Sequence, residues 1–126
     1  MSDLADRLAG MQAQLAARPH LLRLGSLFSD TVLLMVDGTE YYLVFDRGRL
    51  ARIVEGPSRK TPYQFGIVTD GAALATFWTP LPPPGFHDLF ALVKIGRAEI
   101  RGDMLRLVKN LRFIKEFLAL GREEAA

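Results

Sequence analysis

The chain contains no cysteine. Disulfides, thiolate catalysis and cysteine-ligated metal sites are therefore excluded, and the composition agrees with a reducing compartment. Histidine is nearly as scarce. The two present, His20 and His87, stand far apart, and no motif pairs either with a nucleophile. Two distant histidines among scattered acids give no recognisable metal-ligand spacing. A nucleophile elbow, a phosphate-cradling glycine loop and a dinucleotide fingerprint are all missing. Long apolar runs are missing too, since a stretch such as Val32 to Val36 is far too short to span a bilayer. Asp3 and Asp6 near Met1, without a basic segment leading into an apolar run, predict no signal peptide. Arg122 to Ala126 carries no peroxisomal Ser-Lys-Leu-type address. A soluble, cytoplasmic protein is the expectation.

What is present is apolar. At 126 residues and 49% hydrophobic content, the chain suits a single domain over 1–126 whose core needs neither disulfide nor metal. Three segments follow from the patterning. Residues 1–30 read as helical, with Ser2 as a cap, Leu4, Leu8, Met11 and Leu15 on one face, and Pro19 just beyond the helix end. The stretch from His20 to Asp30 has the leucine spacing of a second short helix. Residues 31–70 read as a β-meander of four strands in sequential hairpins: Thr31 to Val36, Glu40 to Phe45, Arg49 to Glu55 and Tyr63 to Thr69. Asp37-Gly38 supplies a tight turn, Asp46-Arg47-Gly48 suits a three-residue hairpin, and Gly56 to Lys60 is a polar loop. Residues 71–120 hold helices over Ala72 to Trp78 and Phe86 to Val93, separated by Pro80, Pro82, Pro83, Pro84 and Gly85. A strand from Gly96 to Gly102 and a terminal helix capped by Asp103 complete the segment.

In that last helix, Met104, Leu107, Val108, Leu111, Ile114 and Leu118 fall on one stripe, the expected core face. Phe113 and Phe117 fall roughly opposite, which predicts either a helix sandwiched in the fold, against the first helix, or a face meeting a membrane or partner subunit. Between Lys94 and Glu116, seven basic residues stand against three acids in a chain whose net charge is only +2. That bias fits either a solvated helix face or a footprint for phosphates or lipid headgroups.

Chemistry is hard to place on these residues. His87, Asp70 and Asp88 are the only candidate acids or bases for an isomerase-like or hydratase-like cavity enzyme, and the helix-first order fits that reading poorly. Tyr41, Tyr42 and Phe45 could stack on bases but lack a dense basic run around them, so no nucleic-acid partner is expected. Phe77, Trp78, Leu81, Phe86, Leu89, Phe90 and Val93 flank the proline break. They read equally as plain core and as the wall of an apolar pocket.

The order of elements carries a resemblance. Phe45-Asp46-Arg47-Gly48-Arg49 lies in the meander, and Tyr63-Gln64-Phe65-Gly66-Ile67-Val68-Thr69-Asp70 leads into a short helix. Lys94-Ile95-Gly96-Arg97-Ala98-Glu99-Ile100-Arg101-Gly102-Asp103 then leads into the last. Over roughly Thr31 to Leu120 this resembles the sterol carrier protein type 2 (SCP2) sterol-binding domain. The resemblance implies an α+β fold, with an antiparallel or mixed five-stranded sheet covered on one side by helices around an apolar tunnel or cavity. It implies non-enzymatic binding of a fatty acid, acyl-CoA, sterol or other lipid, with no cofactor and no catalytic residue. Family-like placement, together with the periodicities, puts Phe65, Phe77, Trp78, Phe86, Phe90, Met104, Val108 and Leu111 at the ligand. Arg106 and Lys109 are placed to steer an anionic headgroup. The Leu81-Pro82-Pro83-Pro84-Gly85 loop departs from the family and would reshape the pocket entrance. The expected partner is a lipid or other hydrophobic small molecule, with at most peripheral membrane contact. The alternative is a ligand-free interaction module, either a homodimer through Phe113, Phe117 and the N-terminal helix or an accessory subunit of a partner enzyme.

Overall fold

The computed structural model describes residues 2–58 and 61–122, apart from the side chains of Ser2 and Asp3, so the expected Ser2 cap lies outside the described residues. Two helices, α1 (Ser2–Ala16) and α2 (Pro19–Leu24), precede strands β1 (Thr31–Val36), β2 (Thr39–Asp46), β3 (Arg49–Glu55) and β4 (Phe65–Thr69). Then come α3 (Gly71–Phe77), α4 (Leu89–Lys94), β5 (Ala98–Gly102), α5 (Met104–Lys109) and α6 (Leu111–Ala119). Pro19 opens α2 rather than merely following α1, since a first-turn proline has no amide hydrogen to leave unpaired. The helix expected from Phe86 starts at Leu89, because Asp88 Oδ1 accepts the Ala91 N–H at 2.9 Å and caps it there.

The sheet order is β3-β2-β1-β4-β5. The first three strands form the expected meander. Both turns are two-residue hairpins with positive φ at each central position, Asp37-Gly38 and Arg47-Gly48, so the second is shorter than the three-residue turn expected. The fourth strand departs from the reading. β4 crosses over to pair with β1 in parallel, Val32 opposite Phe65 and Leu34 opposite Ile67, and the four-strand antiparallel meander does not form. Composition explains the choice. β1 and β4 are nearly continuous apolar runs that profit from an interior position, whereas Arg49, Arg52 and Glu55 suit β3 to an edge. β5 closes the other edge, antiparallel to β4.

Alternation sets the faces. Val32, Leu34, Val36, Tyr41, Leu43, Phe45, Phe65 and Ile67 turn one way and are buried with the helices. On the other face, Leu33 and Tyr42 are buried as well, beside Tyr63 from the β3–β4 crossover, whose ring centroid lies 6.4 Å from that of Tyr42. The Tyr42 hydroxyl donates to the Glu40 carboxylate, and this bond, followed by burial, pushes its pKa up to about 12.

The terminal helix is two helices. At Asn110 the side-chain amide donates to the Arg106 carbonyl at 2.9 Å and the backbone N–H bonds the Leu107 carbonyl, which breaks the regular ladder. The phase of the apolar stripe changes there. In α6 the buried residues are Phe113, Ile114, Phe117 and Leu118, a normal helical face, while Met104 and Val108 of α5 are about half exposed. Phe113 and Phe117 therefore do not form a second, outward face. Phe113 stands 5.5 Å from Phe28 and 5.7 Å from Phe45, and Phe117 meets Phe45 edge-on at 5.1 Å. Their burial removes the dimer surface proposed for them and replaces it with an aromatic core shared by the α2–β1 segment, β2 and α6.

Candidate functional site

An apolar cleft of about 380 Å³ opens between α1, the β1–β2 hairpin and α3. Leu4 and Arg7 come from α1, Val36, Asp37, Thr39 and Tyr41 from the hairpin, and Leu74, Ala75 and Trp78 from α3 and its C-cap. That volume lies within the range of small-molecule pockets, at its lower end.

Local chemistry fixes each wall. Asp70 caps α3, its Oδ1 accepting the Ala73 N–H at 2.7 Å. The Gly71 N–H donates to Asp37 Oδ2 at 3.0 Å, clasping the hairpin turn to the start of α3. A Cβ at Gly71 would stand 2.8 Å from that oxygen, so the clasp depends on glycine. At the other end, the Trp78 indole N–H donates to the Leu118 carbonyl at 2.8 Å, and the Arg7 guanidinium lies 5.1 Å from the ring centroid. Tyr41 sits in the inner wall, where burial first and Glu55 second raise its pKa, so its hydroxyl stays neutral. The lining is mainly apolar, with Arg7, Asp37, Thr39 and Thr79 as its polar side chains.

A hydrogen-bonded ion pair holds α3 to the β5 side of the sheet. Arg97 Nη2 lies 3.0 Å from Asp70 Oδ1, and this contact, followed by the Ala73 N–H, holds the Asp70 carboxyl below its ordinary 3.8. A depressed carboxylate pKa adds stability that is present above the unfolded value and lost as pH falls through the folded one. Both side chains are about two-fifths exposed, which limits the pair to roughly 0.5–1 kcal/mol. Asp70→Asn retains a capping oxygen and removes the charge. In urea denaturation it should be less stable than wild type by that amount at pH 7, and the gap should close as pH falls below the ordinary 3.8 and through the lowered folded-state value, where wild-type Asp70 protonates. A pH-independent gap would mean that the charge contributes nothing.

Of the eight residues expected at the ligand, only Trp78 lines this cleft. Phe65 and Phe77 are buried core, and Phe77 lies under the Arg122 guanidinium at 4.7 Å. Phe86, Phe90 and Leu111 are partly buried against the core, and Met104 and Val108 face outward. Arg106 is held by the buried Asp30 and lies 3.7 Å from Asp103, whereas Lys109 forms no ion pair among the described residues. His87 is exposed, and the Asp88 carboxylate caps α4 and pairs with Lys115 at 3.4 Å. Burial would raise the Asp88 pKa, but the Ala91 amide and Lys115 outweigh it and lower it. Leu4, Val36 and Leu74 read in the sequence only as apolar positions of their elements, and Tyr41 as a strand aromatic. Asp37-Gly38 was legible as a turn and Asp70 as the lead into a short helix, but nothing local shows that they meet.

No family model matches the chain, and no curated protein matches it. Solved structures do. A crystal structure of sterol carrier protein 2 is similar over 95% of this chain and 96% of its own length, with a TM-score of 0.74 at 15% identity. UbiJ-SCP2, a ubiquinone synthesis protein, is similar over 89% of each chain (TM-score 0.59, 16% identity). The apo form of sterol carrier protein 2 from Yarrowia lipolytica covers 94% of this chain and is itself covered over 89% (TM-score 0.58, 10% identity). Five strands in this order, with helices packed on the core face, give this chain the sterol carrier protein 2 fold.

Proposed function

We propose that this protein binds or carries a hydrophobic ligand, a fatty acid, acyl-CoA, sterol or other lipid, without transforming it. The cleft between α1, the β1–β2 hairpin and α3 carries this reading, because apolar walls with a few polar side chains suit a ligand with a long apolar body and a small polar end. Structures named for sterol carriage and ubiquinone synthesis share the fold, which supports the same ligand class. Leu4, Val36, Tyr41, Leu74 and Trp78 would contact the apolar body, each buried CH₂ adding about 0.8 kcal/mol. Arg7 and Thr79 would meet the polar end. Native mass spectrometry of the freshly purified protein, followed by solvent extraction, would identify a retained ligand and its class.

Trp78 is the single tryptophan and lies in the cleft wall, so it reports occupancy. Titration with oleate should shift its emission. Ala75 is exposed on the rim of α3, and Ala75→Phe should fill the mouth of the cleft while leaving Tm within a degree or two. Its expected effect is about tenfold weaker binding, corresponding to roughly 1.4 kcal/mol. Oleate binding of unchanged affinity in that variant would place the ligand elsewhere.

A further inference from the structure

α5 is a surface helix with little holding it down. Among its six residues only Leu107 is buried, and Arg106 is tied to Asp30. Met104, Leu105 and Val108 are 45%, 61% and 50% exposed. Spaced i, i+1 and i+4, they share one side of the helix and form a continuous apolar patch. Leu27, 96% exposed, projects from the α2–β1 segment that the Asp30–Arg106 pair anchors to this helix. Large apolar side chains scattered singly over a surface are ordinary, but three on six residues are not.

The charge around the patch selects its partner. From Arg101 to Glu116 there are five basic residues and two acidic ones, an excess larger than the net +2 of the whole chain. Lys109 is exposed and forms no ion pair among the described residues. Among the described residues, Arg101 and Arg112 pair only with Glu99 at 3.4 Å and Glu116 at 3.2 Å. These are solvent-exposed pairs of the kind that contribute little, so a phosphate can replace either carboxylate. Apolar side chains on a short helix, flanked along the chain by cations with loosely held or absent counter-charges, match the acyl–headgroup boundary of an anionic bilayer. A second copy of the chain would bring the same positive rim against itself.

We infer that the α5 face of Met104, Leu105 and Val108, with Lys109 on the same helix and Arg101 and Arg112 on the adjoining β5 and α6, is a docking surface for anionic membranes. It is separate from the ligand cleft. Co-sedimentation of the full chain with phosphatidylcholine vesicles, with and without about 30% phosphatidylserine, tests it. Binding should require phosphatidylserine and weaken steeply with added salt. Leu105→Asp/Val108→Asp changes only exposed positions, so it should keep its wild-type Tm and its oleate titration while losing binding at least about tenfold. Lys109→Glu/Arg112→Glu should show a similar loss. No binding by wild type, or equal binding by the Leu105→Asp/Val108→Asp variant, would overturn the inference. So would a wild-type dimer in light scattering that the same variant dissociates, since that would assign the patch to self-association. Retention of oleate binding separates failure of docking from failure of the ligand cleft.

Discussion

Phe113→Ala should destabilise the fold by roughly 3–5 kcal/mol without changing its oligomeric state. The ring is 1% exposed and lies between Phe28 and Phe45, with centroids 5.5 and 5.7 Å away. It also fills the space over Gly25, where a Cβ would come within 2.6 Å of a ring carbon. α2, β2 and α6 meet at this point, and Gly25 and Gly48 approach each other closely beneath the ring. Truncation removes the transfer free energy of the ring and leaves a cavity that two flanking phenylalanines and a glycine contact cannot easily close. A domain of this size commonly has only about 5–15 kcal/mol of stability, so Tm should fall by roughly 10 °C or more. Calorimetry and urea denaturation measure the loss directly. A change below about 1 kcal/mol would mean that the ring is not part of the core.

The second large effect is expected at Gly102, where β5 hands over to α5. Its φ is +84°, and an added Cβ would stand 2.6 Å from the Gln64 carbonyl oxygen and 3.0 Å from Phe65 Cα. Gln64 cannot move aside cheaply. Its carbonyl accepts the Asp103 N–H at 2.8 Å, its backbone N–H donates to the Thr31 carbonyl at 2.9 Å, and its side-chain oxygen accepts the Thr31 N–H at 2.6 Å. Gly102→Ala therefore combines the left-handed backbone penalty of about 1–2 kcal/mol with displacement of a three-bond junction, for a total of roughly 3 kcal/mol or more. Gly96 is the internal control. Its φ is +77°, but no atom lies within 4 Å of a Cβ built there. Gly96→Ala should show the backbone penalty alone, about 1–2 kcal/mol. Equal losses at the two sites would show that the packing at Gln64 is not the deciding factor.

Gly102 also shows how far a motif can be read. The Gly-Asp pair ahead of the last helical region was legible, and part of its meaning was local: Asp103 accepts the Arg106 N–H at 3.2 Å and caps α5. The requirement for glycine comes from Gln64, 38 positions earlier, and no pattern around position 102 contains it. The candidate site divides in the same way. Trp78 stood out as a large apolar residue beside a proline break. Leu4, Val36, Tyr41 and Leu74 looked like ordinary core, because a cleft wall and a core face have the same periodicity until a neighbour is found or missing. Met104 and Val108 joined the predicted core stripe because helical phase was carried through Asn110, where the helix axis breaks.

By itself the sequence determined what nearest neighbours along the chain decide. Asp37-Gly38 and Arg47-Gly48 form tight turns because both central positions in each take positive φ. Asp103 caps α5 as expected, because a carboxylate three residues before an otherwise unpaired amide can accept from it, and Asp70 and Asp88 do the same, although the helix behind Asp88 was expected to start at Phe86. The two-residue period of a strand puts Tyr41, Leu43 and Phe45 on one face once β2 forms. Only the tertiary structure decided that β4 pairs with β1 and that Phe113 and Phe117 enter the core. It alone brought Asp37 to Gly71, and with them the walls of a cleft. Those outcomes depend on which distant surfaces bury each other best, a competition among the elements of the whole chain that local spacing does not encode.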